Sequence, residues 1–172
     1  MKTSKIALGG VCAALSVILL AIGSVITTLD ISLAFTASVF IYILMLEYDG
    51  KTAFSVFAVT SALSILLLPQ KSPAVMYLLF FGWYPFAKRK LEQLKNLPAW
   101  ILKIVIFNIS LVLYALCAKY LLLLPFELNL VLFLTLLLAN VFLILYDICC
   151  TRFIVFYVNR IAPRIHKITG KK

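Results

Sequence analysis

The stretch FFGWYPFAKRKLE, residues 80–92, changes character within about one helical turn. Aromatic side chains crowd around Gly82 and Pro85, and then Lys88, Arg89 and Lys90 arrive together. Aromatics giving way to a basic cluster is the pattern of a chain leaving hydrocarbon for an anionic headgroup layer. That reading requires the rest of the chain to be built for a bilayer.

Composition meets the requirement. With 65% hydrophobic and only 13% charged residues and a mean hydropathy of +1.13, the chain has more apolar surface than 172 residues could bury in a water-soluble core. The expected class is an all-α integral membrane protein. A net charge of +10 in a soluble protein would suggest nucleic acid, but here the charges sit in short clusters between apolar runs and no nucleic-acid-binding motif accompanies them. Cys12, Cys117, Cys149 and Cys150 lie inside apolar runs without metal or redox spacing, and read as small buried hydrophobes.

Six apolar runs approach the length of about 20 residues that a membrane helix needs. They cover about 6–28, 31–46, 52–68, 74–87, 99–124 and 128–158, with a basic tail at 159–172, all in one membrane domain. Lys2 and Lys5 precede a first run that ends in Ala21-Ile22-Gly23, a small-x-small pattern resembling a signal cleavage site. It is read as a retained first helix. Pro69-Gln70-Lys71-Ser72-Pro73 is the clearest loop signal, because its two prolines bar simple helical continuation. The fourth run is short, and Gly82 and Pro85 predict a kink or a partly unwound end packed against protein.

Charge predicts the orientation. With the N-terminus cytoplasmic, six crossings place Lys2, Lys5, Lys51, the Lys88 cluster, Lys95, Lys103 and the basic tail on the inner side, leaving only Lys71 and Lys119 outside and Arg152 near the inner end of the sixth run. Thirteen basic residues against two is the asymmetry of a protein with both ends inside. The expected location is the cell (inner) membrane.

On the first helix Gly9, Ala13, Ser16, Leu20 and Gly23 fall on one face, and Gly10 with Ala14 adds a second small pair. Small residues let helix backbones approach in lipid, so this face is a docking surface, for the same bundle or for a separate subunit. Asp147 on the sixth helix, with Arg152 five residues on, is the clearest intramembrane charge. It either pins helices together or serves a proton relay, with Arg152, Lys103 or a hydroxyl as its partner.

Towards the outer side the chain offers Thr27, Thr28, Asp30 and Ser32, then Gln70, Lys71 and Ser72, then Lys119, Glu127 and Asn129; deeper lie Tyr77, Asn108, Ser110, Tyr114, Thr135 and Asn140. Amides at bilayer depth either link helices or line a cavity. Aromatics with a few convergent polar groups would hold a small organic solute, and Thr27, Thr28, Asp30, Lys71, Tyr77, Asn108 and Asn140 are the expected contacts. Walker A, HExxH and GxSxG patterns are absent, and the single histidine, His166, belongs to the basic tail. No catalytic residue, cofactor or metal site is expected, and uphill transport would need an ion gradient or another subunit.

Six helices with both ends inside, small pairs at Gly9/Ala13 and Gly10/Ala14, and no nucleotide motif resemble the S component of an energy-coupling factor (ECF) transporter, the substrate-binding membrane subunit of vitamin and micronutrient importers. The resemblance implies that Gly9, Gly10, Ala13 and Ala14 dock on a scaffold membrane subunit driven by two ATPases, and that solute binds in the outward half beneath external loops. Because the Leu29-Asp30 connection is short, the lid role would pass to the Pro69 to Pro73 loop. Two other readings remain open: a non-transporting accessory or assembly protein, and a small membrane enzyme acting on lipid or isoprenoid substrates around Asp147 and Arg152.

Overall fold

The computed structural model describes residues 2–94, 96–120 and 130–164. Among them there is no strand. The helices are α1 (Lys2–Val25), α2 (Asp30–Glu47), α3 (Gly50–Leu67), α4 (Ser72–Met76), α5 (Tyr84–Leu91), α6 (Asn96–Tyr120) and α7 (Leu130–Phe156). Five of them, α1, α2, α3, α6 and α7, are long and apolar enough to cross a membrane. Two compact units make up the chain, Met1–Asn129 and Leu130–Lys172.

The helix boundaries follow from local chemistry. Asp49 stops the second apolar run and starts the next: its carboxylate accepts the Thr52 backbone N–H at 2.8 Å and the Thr52 hydroxyl at 2.5 Å, an N-cap that satisfies one of the orphan donors of α3. Leu68, at the other end of α3, has extended dihedrals of φ −72° and ψ 135°, as the ring of the following proline demands. Pro73 then lies in the first turn of α4, where a missing N–H costs nothing. The expected loop at residues 69–73 is therefore shorter than its two prolines suggest, since one ends a helix and the other begins one. At the Thr27 end, α1 passes to α2 through a 3-10 turn, Thr27–Leu29. A Cβ on Gly23 would come within 3.3 Å of the Asp30 Cα, so the bare glycine admits this tight reversal.

The fourth apolar run is not one regular helix. α4 widens into a π-helical turn, Tyr77–Phe81, closed by the Gly82 N–H on the Tyr77 carbonyl at 2.8 Å, and α5 starts afresh at Tyr84. Pro85 explains the restart, because it has no N–H to offer and its ring excludes the carbonyl four residues earlier. Trp83 donates its indole N–H to the Leu79 carbonyl at 2.6 Å, a side-chain bond placed where the ladder is interrupted. Gly82 and Trp83 keep right-handed helical dihedrals, so the segment bends without reversing.

Within the first unit, α1 packs on α2 and α3, α2 also packs on α3, and α4 with its π turn touches α1, α2, α3 and α6. The interrupted helix is thus the central element, and Ser72 through Val75, Tyr77, Phe80 and Phe81 are all buried. In the second unit, α7 continues through a π turn at Tyr157–Ile161 and remains helical to residue 164. The expected span ends at 121–124 and 128–129 lie outside the described residues, as do Lys95, Glu127, Asn129 and the tail from residue 165 onward, including His166.

Candidate functional site

Polar side chains converge where α1 ends, α2 begins and α3 passes to α4. Asp30 opens α2; its Oδ1 accepts the Ile31 backbone N–H at 2.6 Å, and its Oδ2 accepts the Ser72 hydroxyl at 3.2 Å. Ser72 Oγ also lies 2.9 Å from the Tyr114 hydroxyl. This chain ties the first residues of α2 and α4 to α6. Beside it, Ser24 Oγ donates to the Gln70 carbonyl at 3.1 Å and accepts the Gln70 N–H at 2.9 Å, which fixes the α3–α4 loop to α1. Lys71 folds back and donates to the Leu68 carbonyl at 2.6 Å, at the end of α3 where carbonyls have no intrahelical partner.

Beneath this rim, Tyr77 is fully buried in the π turn. Its ring centroid is 6.0 Å from that of Phe57, and its hydroxyl faces Thr60 on α3, although neither oxygen meets hydrogen-bond geometry. Thr60, Ser61 and Ser64 share the buried face of α3. The hydroxyl oxygens of Thr60, Ser61, Ser64 and Tyr77 have no hydrogen-bond partner. Leaving a buried hydroxyl unsatisfied costs about 1–3 kcal/mol, so a group of them is a specific expense at the interior of the bundle. The sequence reading singled out Tyr77 and missed the three hydroxyls of α3. The signal was present as Thr60-Ser61-x-x-Ser64, one helical face in an otherwise apolar run.

The remaining expected contacts are on the 3-10 turn, on α6 and in the second unit. Thr27 and Thr28 are exposed in the 3-10 turn. Asn108, half-buried on α6, donates to the Ile104 carbonyl at 2.8 Å. Asn140 belongs to the second unit and donates to the Leu136 carbonyl at 2.9 Å. Each amide satisfies a donor on its own helix. Asp147 and Arg152 also belong to the second unit; the Thr151 hydroxyl donates to the Asp147 main-chain carbonyl at 2.9 Å, and Arg152 is exposed.

The small-residue face of α1 divides in two. Gly9 lies against Val56 of α3, where a Cβ would approach Val56 Cγ2 to 3.3 Å. Ser16 donates to the Ala37 carbonyl of α2 at 3.4 Å, and Ala13 and Leu20 are buried. Gly9, Ala13, Ser16, Leu20 and Gly23 thus seat α1 within its own bundle. Gly10 and Ala14 face outward, and a Cβ on Gly10 would meet nothing within 4 Å. Gly10, with Gly9 and Ala13, lines a shallow, mostly apolar groove between α1 and α3 of about 490 Å³ that runs from Lys5 and Thr52 to Val59.

At the Asp49 end, Lys5 pairs with Asp49 at 3.0 Å and Ser4 lies 2.9 Å from the Tyr48 hydroxyl, fastening α1 to the α2–α3 turn. The bonds from Thr52, aided by Lys5, hold the Asp49 carboxyl well below the usual carboxylate range. The basic cluster of α5 also divides: Lys88 is buried while Arg89 and Lys90 are exposed. Lys88 lies 2.8 Å from Glu92, and Lys103 lies 3.9 Å from the same carboxylate oxygen and 5.0 Å from the Trp100 ring centroid.

No protein-family model, curated protein or solved structure matches the chain.

Proposed function

We propose that this chain is the substrate-binding membrane subunit of a small-molecule importer, similar in kind to the S component of ECF transporters. The observation that carries the reading is the interrupted fourth segment. It runs through the middle of the first unit, bears polar groups at its start, and holds Tyr77 beside the hydroxyl-bearing face of α3. Interrupted helices in the interior are how many membrane transporters present polar groups to a solute without exposing them to lipid.

The proposed topology has six crossings, with the bent Ser72–Leu91 segment as the fourth and both termini cytoplasmic in the cell membrane. The thirteen-to-two distribution of basic residues supports it, as does a fourth segment that bends without reversing. In this orientation the Asp30–Ser72–Tyr114 rim faces outside and the Lys88–Glu92–Lys103 cluster faces the cytoplasm. Solute enters at the rim. The outward-facing Gly10 and Ala14, and the groove that Gly10 lines, lie towards the cytoplasmic half, where a scaffold subunit coupled to two ATPases would dock.

The test is purification of the tagged protein from its native membrane in gentle detergent, with mass spectrometry of co-purifying proteins and small molecules. A helical scaffold subunit recovered with a pair of ATPases is the expected result. Well-folded protein that recovers neither partner nor metabolite would sink the importer reading and favour an accessory role.

A further inference from the structure

The hydroxyl cluster beneath the rim defines a class of solute. Thr60, Ser64 and Tyr77 have no exposed surface and Ser61 retains only 3%, yet the four side-chain oxygens lack hydrogen-bond partners. Thr60 lies ten residues into α3 and seven from its end, about 15 Å and about 10 Å at the helical rise. The cluster therefore sits well inside the bundle. Each hydroxyl can donate one hydrogen bond and accept others.

Nearby charge is confined to the rim, where Asp30 accepts from Ile31 and Ser72 and Lys71 donates to the Leu68 carbonyl. Residues 6–29, 31–46, 52–70, 72–87 and 104–118, which supply most of the helices around the cluster, contain no Asp, Glu, Lys or Arg. An ionised solute would give up its hydration without gaining an opposite charge, a cost far larger than neutral hydrogen bonds return. A neutral solute rich in donors and acceptors would relieve the unsatisfied hydroxyls and lose little. The rings of Phe57 and Tyr77 beside the cluster add apolar surface for its carbon skeleton.

We infer that Thr60, Ser61, Ser64 and Tyr77 bind an uncharged, hydrogen-bonding small organic molecule. This rests on the importer reading for the direction of entry but not for the chemistry of the site. The cluster is closed in this conformation, so admission requires movement of α4. The Asp30–Ser72–Tyr114 and Ser24–Gln70 bonds are the latches that such movement breaks.

The test is thermal unfolding of the full chain in lipid nanodiscs, with the neutral, anionic and cationic small-molecule fractions of yeast extract, separated by ion exchange, as probes. The neutral fraction is expected to raise the melting temperature by several degrees. Tyr77→Phe and Thr60→Val should lower apparent affinity about tenfold, the equivalent of one lost hydrogen bond. Their melting temperatures without added solute should hold or rise, because each removes an unsatisfied buried hydroxyl. A purely structural role would not separate these two readouts. A shift confined to charged fractions, no shift from any fraction, or an undiminished shift in both variants would overturn the inference. Neutral binding without a recoverable scaffold would defeat the importer reading alone, and a scaffold without neutral binding would defeat this inference alone.

Discussion

Phe57 lies over Gly82 so closely that a Cβ on the glycine would meet the Phe57 ring at 2.5 Å, with the Tyr77 ring only 2.8 Å away. Both rings belong to buried side chains, so neither can swing aside into solvent. The bend in the fourth segment and the position of Tyr77 therefore depend on one absent side chain.

Gly82→Ala should destabilise the protein by about 1–3 kcal/mol, the usual cost of overpacking a dense core. Denaturant unfolding in detergent checks this. Adding Phe57→Leu should recover part of the loss, and an unaltered Gly82→Ala protein would mean that the two residues are not in contact.

Gly9 and Gly10 are neighbours in sequence with opposite surroundings. Gly9→Leu should lower the melting temperature because its side chain must displace Val56. Gly10→Leu meets open space and should leave folding unchanged while weakening recovery of the proposed scaffold subunit. Equal effects on folding would contradict the packing of α1 on α3.

Asp49→Ala removes the cap of α3 and the partner of Lys5 and should lower the melting temperature by a few degrees. Asp49→Asn keeps an acceptor for Thr52 and should cost less. Because the folded carboxyl titrates below its unfolded value, its stabilisation is present above about pH 4 and lost as the pH falls through the folded value. Melting curves between neutral and acid pH should be less pH-dependent for Asp49→Asn than for the unsubstituted protein.

Lys88, Arg89 and Lys90 form one basic cluster in sequence, but only Lys88 is buried. Lys88→Ala should cost about 1–3 kcal/mol through loss of packing and of the Glu92 pair. Arg89→Ala and Lys90→Ala should stay within about 0.5 kcal/mol. Denaturant midpoints of the three variants would show whether burial or mere membership of the cluster sets the cost.

By itself the sequence determined the helical, membrane-spanning class, because apolar run length and the clustering of charge are local properties that a bilayer reads directly. It also marked the disturbed fourth segment, since Gly82 and Pro85 act on their own backbone. Tertiary structure decided which small residues on α1 are spent inside the bundle, because Gly9 and Gly10 differ only in what stands opposite them. It also singled out Lys88 and brought Thr60, Ser61, Ser64 and Tyr77 into the interior. Whether a hydroxyl is a cheap helix residue or an unsatisfied buried donor depends on its neighbours on other helices, and local pattern does not encode that.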